Sequence, residues 1–275
     1  AGVAVLIYSA YTLAMMVLFG VEKWCERGEV FSVYFGMFGR LGCFGVENGR
    51  LARRRPLSAA TGWASVPGSL AVVVASISTT SFDGAAEGPL KGPIESVFDW
   101  FADAGLGLTA ALRLTDTLFM VLCFVGIALV YLLGVRGMRT VRGAPSAATL
   151  RTGFAHTLIP IALAYLVAHY FSLFVFQEQA QFTYLLSDPL GTASTDLFGT
   201  ASSGIDFTIL SANAIWYVQV GSLVIGHVLA LTLAHDRALV YWPHYRDAVR
   251  SQYWMLAVMV AFTCFGLYLL SVANS

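Results

Sequence analysis

Six stretches of the chain are apolar over a length that reaches across a bilayer, and no other feature constrains its fold as tightly. A hydrocarbon core of about 30 Å needs about 20 apolar residues in a helix that rises about 1.5 Å per residue. Segments 1–21, 114–135, 153–177, 213–235 and 251–272 meet that length. Segment 63–82 is richer in Ser and Thr, around the centre SLAVVVASIS, but hydroxyls are tolerated where they bond their own or a neighbouring helix. Lipid offers no partner to a free backbone N–H or C=O, so such runs form helices. The fold class expected is all-α: a polytopic transmembrane helix bundle of about six spans, forming a single domain over 1–275.

Composition agrees. Of 275 residues, 57% are hydrophobic and 12% charged, against about 25% charged in a soluble domain. A formal net charge of +0 gives no attraction to a polyanion, so no nucleic-acid partner is expected. The expected partner is the lipid bilayer, with a homo-oligomer or membrane partner subunits left open. Cys25, Cys43, Cys123 and Cys264 form no C-x-x-C and read as packed or free thiols rather than a disulfide or zinc framework. The chain starts at Ala1 within an apolar run, without Met or a basic n-region, and reads as a fragment rather than as a signal peptide.

Segment 30–46, VFSVYFGMFGRLGCFGV, is apolar but carries Arg40, and Gly36, Gly39, Gly42 and Gly45 recur every third residue. It reads as an interfacial or re-entrant amphipathic segment. A broken helix lining a cavity is the alternative. Charge patterning favours a segment that does not cross. Segments 22–62, 136–152 and 236–250 hold fourteen of the sixteen Lys and Arg, and 178–212 has Glu178, Asp188, Asp196 and Asp206 with no base. Segment 83–113 has five acids against Lys91 and Arg113. The expected location is the cytoplasmic (plasma) membrane, with the basic loops cytoplasmic and the acidic loops 83–113 and 178–212 outside. Within the outer loops, 94–107 has helical amphipathic spacing. The near-repeat DPLGTA (188–193) and DLFGTA (196–201) predicts two turns in a compact loop, with an outward cation site at Asp188, Asp196 and Asp206 as the sharper alternative.

Ionisable groups inside spans are functional-site hypotheses by default. His169 sits roughly 12 Å from the outer end of the fourth span and Gln219 roughly 9 Å into the fifth. If those helices are neighbours, His169 and Gln219 meet, with Tyr165, Ser172 and Trp216 near the same level as a ligand-binding set. His156 is one turn into the fourth span, and Pro160, four residues on, predicts a kink beside it. His227 lies deeper than His235, which opens the string His235–Asp236–Arg237. No helix carries an i,i+4 histidine pair, so any metal site must be built between helices. Asp116 reads as a cap or interface residue, and Asp83 as a turn with Gly84 at the end of the second span. No H-E-x-x-H, G-x-S-x-G, nucleotide or bis-haem pattern is present.

From HTLIPIALAYLVAHYFSLFVFQ (156–177) through NAIWYVQVGSLVIGHVLALTLAHDRAL (213–239) to RSQYWMLAVMVAFTCFGLYLLS (250–271), the chain resembles a family of actinobacterial multi-pass membrane proteins. Some members carry the label fenitrothion hydrolase. The likeness is specific over 153–272 and looser over STTSFDG and GEVFSVYFGMFGR. Its matching positions include His156, Pro160, His169, Tyr170, Gln177, Trp216, Gln219, His227, His235, Asp236 and Arg237. Glu178 departs from the family's glycine, so no role passes to it. The resemblance implies metal- or histidine-assisted phosphotriester hydrolysis.

Three readings follow. A carrier or binder would hold a small solute, metal ion or proton in a histidine-containing cavity between spans four and five. A membrane-embedded hydrolase would hold a divalent metal ion at His156, His227 and His235, with His235, Asp236 and Arg237 as its reaction residues. An assembly or scaffold subunit would use the histidines only as interhelical hydrogen bonds.

Overall fold

The computed structural model of the chain describes residues 2–47, 49–65, 68–192 and 194–273. Among these, the only strands are two short ones, and six helices are long and apolar enough to cross a membrane. The all-α class therefore holds, and so does the number of spans. The helices are α1 (Gly2–Phe19), α2 (Val21–Arg27), α3 (Val30–Gly39), α4 (Ser69–Ala86), α5 (Lys91–Asp103), α6 (Leu108–Met138), α7 (Ala147–Gly153), α8 (Ile159–Phe176), α9 (Ala212–Tyr241) and α10 (Tyr245–Ala273). Ala1 of the first expected span, Val66 and Pro67 of the second and Ala193 of the near-repeat lie outside the described residues.

Several boundaries differ from the sequence reading, each for a physical reason. The second span is Ser69–Ala86 rather than 63–82. Its expected start is taken by a short turn, Ala60–Ser65, tied to the helix by Trp63 Nε1 donating to Ser69 O (3.4 Å) and Ser69 Oγ donating to Trp63 O (3.0 Å). Asp83 consequently sits within α4 instead of forming a turn with Gly84. Asp116 lies inside α6, not at a cap.

The 30–46 segment is not one amphipathic piece. α3 stops at Gly39 after ten residues, roughly 15 Å, too short to cross. Phe44–Glu47 (β1) then pairs antiparallel with Arg50–Arg53 (β2), with Glu47 opposite Arg50. Gly49, at φ 74°, takes the left-handed conformation that a two-residue hairpin loop demands. Arg54 secures the helix end by donating to Gly39 O (2.6 Å) and Gly42 O (3.0 Å).

The chain forms two compact units. The first comprises 1–76, 128–160 and 229–257. Met37, Val73, Met138, Leu150, Phe154, Met255 and Trp242 are buried in it. Small residues permit its closest contacts: Gly137 lies against the Trp254 indole and Gly153 against the Tyr241 hydroxyl. Tyr131 Oη donates to Arg151 O (2.7 Å). Pro160 stands in the first turn of α8, where a missing N–H costs little. At the expected kink the α-helical pattern is interrupted: α7 ends at Gly153 and a 3₁₀ turn, Ala155–Leu158, leads into α8 within the span Ala147–Phe176.

The second unit comprises 77–127, 161–228 and 258–275. It contains the amphipathic α5 and the structured loop 178–212. Gln179 clamps that loop in both directions, donating to Asp206 O (3.0 Å) and accepting from Asp206 N (2.9 Å). Both expected turns form: Gly191 (φ 63°) and Gly199 (φ 72°) are left-handed.

Glu29 caps α3, accepting from Phe31 N (3.0 Å) and Ser32 N (2.6 Å), and also accepts from the Tyr8 hydroxyl of α1. The Ser32 hydrogen bonds and the Tyr8 hydroxyl hold its carboxyl at about 2, below the ordinary 4.5. A depressed carboxyl stabilises the fold above its ordinary titration range and loses that effect as pH falls towards 2. Glu29→Ala should therefore lower stability by about 1 kcal/mol near neutrality. In thermal unfolding of detergent-solubilised protein, the gap from the parent should close as pH drops from 4.5 towards 2.

Candidate functional site

Within the second unit, α8 and α9 present a line of polar groups. Gln219, Leu223 and His227 recur every four residues on α9 and share one face. Gln219 Nε2 donates to Ala168 O (2.9 Å), the carbonyl beside His169. That bond fixes the amide, so its Oε1, buried and without a hydrogen-bond partner, is a bare acceptor. His227 Nδ1 lies 2.7 Å from Leu223 O. A carbonyl only accepts, so Nδ1 carries the proton, and the buried Nε2, also unpartnered, is an acceptor in the neutral ring. Tyr165 lies 6.3 Å from the His227 ring between centroids, and its hydroxyl donates to Phe262 O (3.2 Å).

Sequence places His169 against Gln219, but in the structure Gln219 bonds the Ala168 carbonyl instead. His169 Nε2 faces Asp83 Oδ2 at 3.5 Å, with the two side chains 32% and 45% exposed. Gln219 is engaged one residue away, by a backbone carbonyl. Ser172 stands half-buried three residues along α8, and Trp216 is turned outward, edge-on to Tyr217. The expected ligand set is thus divided: His169 pairs with Asp83, Gln219 and Tyr165 bond backbone carbonyls, and Trp216 is exposed.

In the first unit, His156 falls in the turn before α8 and is completely buried. Neither ring nitrogen has a well-formed hydrogen bond. The Arg237 guanidinium acts on it electrostatically. Arg237 Nη2 donates to the Tyr241 hydroxyl (2.9 Å), its carbon lies 4.7 Å from the centre of that ring, and its Nε is buried without an acceptor. The ion pairs among the described residues are Arg27–Glu26 and His169–Asp83, so no carboxylate neutralises Arg237. His235, Asp236 and Arg237 point to different partners. His235 Nδ1 is 3.1 Å from Gln252 Oε1, whose Nε2 is fixed on Ala248 O (2.9 Å), and Asp236 is exposed.

Of the metal set proposed from sequence, His156 and His235 belong to the first unit and His227 to the second. Among the described residues, no group of three His, Cys, Asp or Glu side chains is placed to hold a metal ion.

The acidic loop residues are acceptors for their own turns. Asp188 accepts from Thr192 and Thr195, Asp196 from Ala201 N, and Asp206 from Thr208. The Ala201 N–H holds the Asp196 carboxyl below its usual range, and the Thr208 hydroxyl does the same for Asp206.

Asp83 and Gln252 are the partners that sequence reasoning missed. Asp83 was visible only as the one acid in STTSFDG, 86 positions from His169. Tyr241, four residues after Arg237, was legible by helical spacing alone.

No protein-family model, curated protein or solved structure matches this chain.

A Cβ at Gly153 would overlap the Tyr241 hydroxyl that receives Arg237. Gly153→Ala should cost about 1–3 kcal/mol through overpacking, read as a lowered midpoint in thermal unfolding of the purified protein.

Proposed function

We propose that this multi-pass membrane protein accepts and hands on a proton at the His169–Asp83 pair, as the exchanging site of a proton-linked carrier. The observation that carries this reading is the pair itself. It is an imidazole and a carboxylate 3.5 Å apart, on two apolar helices, each partly open. Histidine is the side chain whose charge ordinarily changes near neutrality, and ionisable groups at membrane depth mark ion and proton routes. The bare acceptors Gln219 Oε1 and His227 Nε2 on the adjoining line suit a protonated guest and offer nothing to an anion. The bias of Lys and Arg towards 22–62, 136–152 and 236–250 supports placing those loops in the cytoplasm and the pair towards the outside.

Reconstituted into vesicles holding a pH-sensitive dye, the protein should acidify the lumen when an inward proton gradient is imposed. His169→Gln and Asp83→Asn should each reduce that rate by about tenfold or more. Parent-like rates in both variants would sink the reading.

A second reading is favoured by a different observation, the unsatisfied donors around Arg237. A completely buried histidine beside a guanidinium without a carboxylate is suited to a phosphoryl oxygen and to a base that activates water. It accords with the resemblance to proteins labelled fenitrothion hydrolase. A chromogenic phosphotriester should then be cleaved by the purified protein. His156→Asn or Arg237→Gln should abolish cleavage while leaving vesicle acidification intact. Absence of turnover in the parent protein would remove this reading.

A further inference from the structure

The end of α6 and the start of α7 enclose a groove of about 320 Å³ in the first unit, lined by Leu132, Val135, Arg136, Arg139, Arg151 and the small Ala147 and Ala148. Its floor is apolar, and its three arginines are exposed. None of the three joins the ion pairs found among the described residues, and no acid occurs anywhere in 136–152. Arg151 is fixed through its backbone, where its carbonyl accepts from the buried Tyr131.

The sequence of α6 extends this groove. Leu129, Leu132 and Arg136 lie at spacings of three and four, and therefore on one helical face; Arg139 continues the spacing just past the helix end. Leu129 is 54% and Leu132 37% exposed. Along one stripe, the helix passes from lipid-facing leucine to unpaired guanidinium within about two turns, roughly 10 Å. That is the polarity profile of a phospholipid, with acyl chain first and phosphate next. A planar guanidinium matches a phosphate through paired N–H donors. Ala147 and Ala148 add only small side chains to the groove's lining.

We infer that the groove of Arg136, Arg139 and Arg151 binds the headgroup of an anionic phospholipid, whose acyl chain lies along Leu129 and Leu132. A neutral zwitterionic lipid would bring its own cation to the three arginines, and a free phosphate ion would leave the leucine face unused. The inference does not depend on the proton reading, because none of these residues belongs to the His169–Asp83 site.

The test is thermal unfolding of the purified full chain in a neutral detergent. The additives are phosphatidylglycerol, phosphatidylcholine or inorganic phosphate, given to the parent, to the single variants R136Q, R139Q and R151Q, and to their triple combination. Phosphatidylglycerol should raise the parent's midpoint in a saturable manner, and the other two additives should not. The triple variant should need about tenfold more phosphatidylglycerol or worse for the same shift, and each single variant should show part of that loss. Should the triple variant not fold, the singles decide the matter. Equal shifts from phosphatidylcholine would overturn the inference, as would an unchanged phosphatidylglycerol response in the glutamine variants. A phosphate response matching that of phosphatidylglycerol would assign the groove to the free ion and overturn the lipid.

Discussion

A polar side chain in a bilayer has no water to turn to, so it must find its partner inside the protein or carry a cost of several kcal/mol. The contact between His169 and Asp83 is where this constraint is met by an acid and a base instead of a backbone group. Elsewhere in the spans the solutions are conservative. Gln219 and Tyr165 donate to the carbonyls of Ala168 and Phe262, and His227 to that of Leu223. A carbonyl has two lone pairs and accepts a second donor readily. These bonds leave the other end of two side chains bare, and both bare ends, Gln219 Oε1 and His227 Nε2, are acceptors.

The first unit shows the opposite imbalance. Arg237 Nε and the indole Nε1 of Trp242 are buried N–H groups without acceptors, and His156 has no well-formed bond at either nitrogen. An excess of acceptors suits a proton or cation, and an excess of donors suits an anion. The two units thus differ in the buried groups they leave unsatisfied: the Gln219 and His227 acceptors in the second, the Arg237 and Trp242 N–H groups in the first. The 3₁₀ turn at Ala155–Leu158 follows from the same chemistry. Pro160 has no N–H to give to the carbonyl of His156, and that carbonyl instead accepts from Ile159 N. The result places a completely buried histidine on a tight turn.

Much of the fold was legible because it depends on length and hydropathy. All six spans appear in the sequence as apolar runs, and the loop 178–212 announces its two left-handed glycines through a repeated Asp-to-Gly spacing. What the sequence concealed is what depends on distant residues or short-range turn chemistry. The string VENGR carries the Asn-Gly signal of a hairpin, yet it follows an apolar run whose glycines read as a helix stripe. The true start of the second span is set by the Trp63–Ser69 exchange, which no periodicity encodes. For the site, depth along α8 correctly brought Gln219 to the level of His169. Depth does not give direction around the helix, and one position separates the carbonyl that Gln219 takes from the imidazole that Asp83 takes.

The central claim is that His169 and Asp83 act as one unit, and a double-mutant cycle in stability tests it most directly. Unfolding free energies of the parent, His169→Gln, Asp83→Asn and the double variant, measured in one detergent near neutral pH, isolate the term that belongs to the pair. A coupling of about 0.5 kcal/mol or more is expected for two groups at this separation on apolar helices. Additivity within about 0.3 kcal/mol would mean that the two side chains do not sense each other, and would contradict the pairing on which the proton reading rests.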